Sequence, residues 1–301
     1  MTLSLTFWGS LIAFLYGTIV GSFLNVCIYR WPADLSIVTP PSHCPNCGTR
    51  LKHIDLVPLF SFLFLGRKCR YCKVPISWRY FTVELITGIM WVLTFLRFGW
   101  SIEFFVFVLF LSFMLVAFIV DMEHFIIPDQ VSIIGVVLGL GKDIAHIIAG
   151  TPQLVRIPLP FTDFKLPMLP SILGIVLCGG AFVLLERVSY FVFKPKDPKE
   201  LEEYEGAMGF GDVKLAAAIG AVVGAMAGFV SFFIAVLFGT FSGIVILILK
   251  ARAEKKGLEW RTQIPFGPYM VLGSVAVMFF YPQLSLLWRM WVTWVTHMSG
   301  A

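Results

Sequence analysis

Residues 104–120 read Phe-Phe-Val-Phe-Val-Leu-Phe-Leu-Ser-Phe-Met-Leu-Val-Ala-Phe-Ile-Val without a single charge, and apolar runs of this kind recur along the chain. A run of about 20 such residues is long enough to cross a bilayer as a helix, where all backbone hydrogen bonds close within the segment. With 58% hydrophobic and 14% charged residues in a 301-residue chain, a water-soluble core cannot hide this much apolar surface. The expected class is an all-α polytopic membrane protein with the lipid bilayer as its first partner. About eight spans are read, at roughly 7–29, 78–97, 102–122, 131–149, 170–193, 212–227, 228–250 and 265–289. The sixth and seventh are separated only by Gly220, Gly224 and Gly228, which supply bending points and no polar loop. The first run lacks a basic region before it and has spanning length, so it is expected to stay as a helix, not to be cleaved as a signal peptide. The net charge of +5 does not argue for nucleic acid as a partner, since basic residues in such chains mark cytoplasmic loops.

Those basic residues set the orientation. With the amino terminus outside, the inner segments 30–79, 122–130, 186–214 and 250–261 hold 18 of the 23 Lys and Arg. The positive-inside rule prefers this arrangement. It divides the chain into a first transmembrane helix (1–30), a cytoplasmic insert (31–77) and a transmembrane core (78–301).

The insert carries Cys44-Pro-Asn-Cys47 and Cys69-Arg-Tyr-Cys72, two CxxC knuckles with 21 residues between them. Each knuckle turns both sulfurs toward one point, and four thiolates suit tetrahedral Zn²⁺. Arg50, Lys52, Lys68, Arg70 and Lys73 stand near enough in sequence to offset the negative charge of such a site. Two disulfides or a redox pair are the rival readings, and a cytosolic setting disfavours the disulfides. His43 and His53 are then spare, and Cys27 and Cys178 read as small packing residues.

Two carboxylates fall at predicted helix ends. Asp121 closes the run 104–120, and Asp212 follows the turn Gly209-Phe210-Gly211 and opens another apolar run. Ionisable groups in such places are costly and point to function. On the topology above both lie at the inner face. Two carboxylates within hydrogen-bond reach tend to share one proton, so one acts as base toward water while the other donates to a peptide carbonyl. Gly209 and Gly211 let a substrate backbone approach closely, and a helix N-terminus complements an ionised Asp212. A proton-coupled transporter is the alternative, because membrane carboxylates also relay protons; no inverted repeat is visible. A scaffold bearing a zinc module is a third reading, which leaves the aspartates unexplained.

Other polar residues have plainer explanations. Asn25 suits an interhelical hydrogen bond, Glu84 an ion pair with Arg30 or Arg79, and Asp129, beside Pro128, a helix N-terminus. Glu123 and His124 read as interfacial. Glu200, Glu202, Glu203 and Glu205 read as a solvated charge run.

With these residues in view, the sequence resembles the type IV prepilin peptidases. The likeness runs through GSFLNVCIYRWP (21–32), CPNC and CRYC with DLVPLFSFL (55–63) between them, ISWRYFTVELITG (76–88), VDMEHFIIPD (120–129), GFGDVKLAAAIG (209–220) and PFGP (265–268). One departure is Phe81, where the family more often has proline. The resemblance implies a multi-pass enzyme of the bacterial inner membrane that cuts the basic leader from prepilins or pseudopilins on the cytoplasmic side, typically between glycine and phenylalanine. It implies that the new amino terminus is then methylated with S-adenosylmethionine. It puts the catalytic aspartates at Asp121 and Asp212 and makes Asp129 structural. Gly21, Asn25, Arg30 and Glu84 are candidates for the methyl-donor site only as glycine or polar positions near the same face; no Rossmann-type glycine fingerprint is present. The acidic run 200–205 is expected to draw the basic leader toward Asp212.

Overall fold

The computed structural model describes residues 2–158, 165–193, 209–254 and 265–298. The acidic run 200–205 lies outside them. The chain divides into two compact units, Met1–Pro128 and Asp129–Ala301, each taken by itself below.

In the first unit α1 (Thr2–Arg30) lies along α3 (Trp78–Phe98), and both pack on α4 (Ile102–His124). Small residues bring α1 and α3 together. A Cβ on Gly17 would stand 2.9 Å from Gly88 Cα, and one on Gly21 would stand 2.7 Å from Glu84 Cα. Neither separation is tolerable, so the backbones touch only because those side chains are missing. Ala13, Trp91, Phe95, Phe104 and Val108 form the buried centre of this bundle. The Trp91 indole donates to Ser112 Oγ (3.1 Å), so its one polar atom is satisfied in an apolar setting. The helix ends are explicit: Ser77 Oγ accepts from the Arg79 N–H, Ser101 Oγ accepts from the Phe104 N–H, and Phe125, at φ 58°, stops α4 ahead of Pro128.

Between α1 and α3 the insert is built from short pieces, among them α2 (Phe60–Phe64) and two knuckles closed by single bridges, His43 with Arg50 and Lys68 with Pro75.

The second unit is arranged around α8 (Phe210–Val223), against which α5 (Asp129–Ile148), α6 (Pro170–Gly174), α7 (Gly180–Phe193), α9 (Ala225–Glu254) and α10 (Gly267–Met298) pack. Leu215, Ala216, Ala218, Ile219, Ala221 and Val222 of α8 are all fully buried. One π-type turn, Ile175–Gly179, joins α6 to α7. Buried polar groups brace the helix ends. Asp143 accepts from the Ser171 N–H (2.9 Å) and hydroxyl (2.6 Å) at the start of α6. Lys142 Nζ donates to the Val222 carbonyl at the end of α8, one of the acceptors that every helix C-terminus leaves over.

Six helices are long and apolar enough to cross a membrane, among the described residues: α1, α3, α4, α5, the joined α6–α7 and α9. The expected eight is approximate for two physical reasons. With 14 residues α8 reaches only about 21 Å, short of a bilayer core of about 30 Å, and it is wrapped by protein. The last helix, α10, is interrupted at Phe280, just ahead of Pro282. Two helices do follow residue 209, but the break lies at Gly224, not at 227–228. Its φ of +86° is open to glycine and strained for other residues. The Pro-rich stretch after α5 forms an antiparallel pair, β1 (Val155–Pro158) with β2 (Lys165–Met168), a small exception to an otherwise helical fold.

Candidate functional site

The four knuckle cysteines converge. Their sulfurs all lie within 4.8 Å of one another, and Cys44 Sγ stands 3.8 Å from Cys72 Sγ. Zinc–sulfur bonds of about 2.3 Å require a tetrahedral edge of about 3.8 Å, so the spacing fits the metal. No disulfide joins them, and the convergence of all four sulfurs on one point is what a single metal requires. The knuckles repeat one backbone pattern. Gly48 N–H returns to the Cys44 carbonyl (2.9 Å) and Lys73 N–H to the Cys69 carbonyl (3.0 Å), with Gly48 and Lys73 both at positive φ. Thr49, by its hydroxyl and then its backbone, lowers the Cys47 thiol to about 6, and the backbones of Cys72 and Tyr71 lower Cys69. Both shifts favour the thiolate that binds metal, whereas Cys44, against the pull of the Cys47 backbone N–H, is pushed up to about 11 by burial and by the neighbouring Cys69 and Cys47 sulfurs.

Asp55 locks the second knuckle in place. It accepts from Arg70 Nε, Tyr71 Oη (3.0 Å) and the Lys52 N–H (3.1 Å). Burial works to raise its pKa, but these three donors outweigh burial and hold the carboxyl below its ordinary value. Sequence reasoning quoted Asp55 only as part of a motif; its role depends on a pairing with Arg70 across fifteen residues, which no local pattern reveals.

Asp121 lies in the last turns of α4 and is buried, 5% exposed. Two residues on, Glu123 takes the Arg79 guanidinium at 2.7 Å, which ties the end of α4 to the start of α3. Glu123 is thus an ion-pair partner and not simply a solvated group.

In the second unit, Asp212 sits in the first turn of α8, half-buried, and its N–H donates to the Gly209 carbonyl (3.1 Å). Gly209 caps the helix in an ordinary extended conformation, and a Cβ built there would meet nothing within 4 Å. Asp129 begins α5, as its reading as a helix N-terminus required. Its carboxylate also accepts from Lys214 Nζ at 2.7 and 2.8 Å, joining the starts of α5 and α8. Lys214 escaped the sequence reading; the available signal was a lone base two residues past Asp212 in an apolar helix. Because the pair is partly exposed, its expected worth is about 0.2–1 kcal/mol. A double-mutant cycle of Asp129→Asn and Lys214→Gln, followed by thermal unfolding, should return a coupling of that size; a coupling of zero would mean that the pair adds nothing to stability. Asp121 and Asp212 belong to different units.

Each of the four positions suggested for a methyl donor makes a contact within its own unit. Gly21 lies against the backbone of Glu84. Asn25 Nδ2 donates to the Tyr80 carbonyl of α3 (3.1 Å), the interhelical bond expected of it. The Arg30 guanidinium donates to the Ser36 and Pro40 carbonyls (2.7 and 2.6 Å). Glu84 accepts from the Leu59 N–H at 2.7 Å, which corrects the expected pairing with Arg30 or Arg79: both guanidinia are engaged elsewhere, and the insert brings a backbone donor to the carboxylate instead. Asn25 Oδ1 accepts no hydrogen bond but is sealed from solvent.

Comparison with known proteins agrees with the order of these features. Residues 15–98 match the bacterial peptidase A24 N-terminal domain, and residues 108–244 match the type IV leader peptidase family. A prepilin leader peptidase/N-methyltransferase of Myxococcus xanthus is 33% identical over 80% of this chain and 64% of its own length. Proteins of the same name are 31% identical in Xanthomonas campestris, over 87% of this chain and 88% of theirs, and 29% identical in Bacillus subtilis, over 88% and 91%. No solved structure matches.

Proposed function

The chain belongs to the type IV leader peptidase family, and on that premise we propose that it is a membrane aspartic endopeptidase with Asp121 and Asp212 as its catalytic pair. Its substrates are type IV prepilins or pseudopilins, whose basic leader it removes at the cytoplasmic face of the inner membrane. The observation that carries this reading is that one family match, residues 108–244, contains both aspartates.

In the reaction the two carboxyl groups hold one proton between them. The ionised group takes a proton from water as the water oxygen attacks the scissile carbonyl carbon, and the neutral group gives its proton to the carbonyl oxygen. As the tetrahedral intermediate collapses and the C–N bond breaks, the departing amine takes up a proton from the pair while one hydroxyl of the intermediate returns its proton to it, so the pair again holds one proton. The dyad titrates as a unit, so acid and base are not assigned singly. The relatives' names carry a second activity, N-methyltransferase, and we extend it to this chain, with the new amino terminus as acceptor, no donor site assigned and no step derived through the donor.

The test is cleavage of a prepilin by the protein reconstituted in vesicles, read as a shortened product on a gel. No shortening of any prepilin or pseudopilin would overturn the proposal. A finer prediction concerns Gly209. The fold leaves room for a Cβ there, so Gly209→Ala should unfold at the same temperature as the unaltered protein. If the substrate backbone passes over this turn, the same change should lower kcat/KM by about tenfold or more, as a misplaced substrate does. Full activity would remove Gly209 from the site.

A further inference from the structure

The insert presents an apolar face that nothing among the described residues of its unit covers. On α2, Phe62 turns inward, its ring 5.2 Å from that of Trp78 and 5.3 Å from that of Phe81. The other side shows Phe60, Leu63 and Phe64, at i, i+3 and i+4, exposed by 54, 60 and 86%. The Phe60 and Phe64 rings stack at 6.4 Å, so they form one continuous surface. Contiguous exposed apolar groups of this kind mark contact with a partner or a membrane.

Position and charge together say which. Trp78, on which α2 rests, is the first residue of a membrane-spanning helix, and tryptophan there belongs to the belt at the lipid–water boundary. That contact puts α2 at the depth of the boundary. The insert 31–77 also holds six Lys and Arg against two Asp. Arg67 and Lys68, which follow α2, are both exposed, and the Arg67 guanidinium stands 5.7 Å from the centre of the Trp78 ring. An apolar face rimmed by cations fits the interfacial zone of a bilayer containing anionic lipid. A protein partner would explain the apolar face but not its placement beside the first residue of a span.

We propose that α2 is an interfacial anchor, with Phe60, Leu63 and Phe64 entering the boundary of the bilayer that α3 spans and Arg67 and Lys68 meeting anionic headgroups. The anchor holds the four-cysteine module against the membrane. Glu84 supports the same geometry by fixing Leu59, the residue just before α2. The anchor does not depend on the peptidase activity.

The experiment places the photoreactive p-benzoylphenylalanine at position 64 of the full-length protein, a site exposed enough for folding to be unaffected. The protein is reconstituted in vesicles of phosphatidylethanolamine and phosphatidylglycerol, irradiated, and examined by mass spectrometry. Lipid adducts are expected, several-fold more abundant than in vesicles of phosphatidylcholine alone. Arg67→Gln with Lys68→Gln should bring the two vesicle types level. Absence of lipid adducts would overturn the anchor, as would their replacement by protein adducts when a prepilin is added.

Discussion

Asp121→Asn and Asp212→Asn should each reduce prepilin cleavage by about 10²–10⁴-fold or more, the contribution of a positioned acid or base to such reactions. Asparagine keeps the size of the side chain and one carbonyl oxygen but can neither take a proton from water nor share one with a partner carboxylate. Either substitution alone therefore disables both steps that the pair performs. The two effects should not add, because groups that act as a unit fail together; the double variant should cleave no more slowly than the worse single one. Folding needs its own readout, since Asp121 is buried. Helix content and thermal unfolding should match those of the unaltered protein, because burying a neutral amide costs less than burying a charge. Cleavage within a factor of a few of the unaltered rate in both variants would remove the dyad and turn attention to Asp129.

The features legible in the sequence were those with a short or periodic signature. Uncharged runs gave the membrane class, paired CxxC knuckles gave a four-sulfur cluster that the structure brings together, and Pro128 sat where a helix boundary formed. Features that depend on distant partners were hidden. The sequence showed Glu84 as a carboxylate inside a span, and the nearest bases in the chain suggested an ion pair. The actual donor is the backbone N–H of Leu59, in a segment whose path no local pattern reveals. Phe81 looked like a departure from the family's proline and proved to be part of the aromatic contact that seats α2 on α3. The break at Gly224 was one of three glycines equally able to bend, and packing, not composition, chose among them. Lys214 went unread because an isolated base carries no pattern until its partner, 85 residues earlier, is beside it.

Removing metal from the insert should have the second large effect, and it should be local. A four-thiolate zinc site supplies folding free energy directly, an apparent value of about 10–16 kcal/mol in isolated zinc-binding peptides at neutral pH. Besides the sulfurs, the knuckles are braced by local backbone hydrogen bonds and one bridge each, and the Asp55 cluster with Arg70 and Tyr71 ties the second knuckle back to the rest of the insert. The purified protein is expected to carry one zinc per chain. After treatment with a strong chelator, trypsin should cut within 44–73 at Arg50, Lys52, Arg67, Lys68, Arg70 or Lys73 much faster than before, all of them exposed positions. Cys69→Ser should reproduce this susceptibility without chelator, since cysteine 69 is a buried member of the cluster and serine binds zinc poorly. The membrane helices should keep their circular dichroism throughout, because the α1, α3 and α4 contacts are made by apolar side chains and close glycines, not by the cysteines. Asp55→Ala should fall between the two states: zinc is retained, but cutting near Arg70 is accelerated because its carboxylate partner is gone. A protein that contains no stoichiometric metal and resists trypsin equally with and without chelator would refute the zinc site, and would leave the Asp55 cluster and the Glu84–Leu59 hydrogen bond as what holds the insert together.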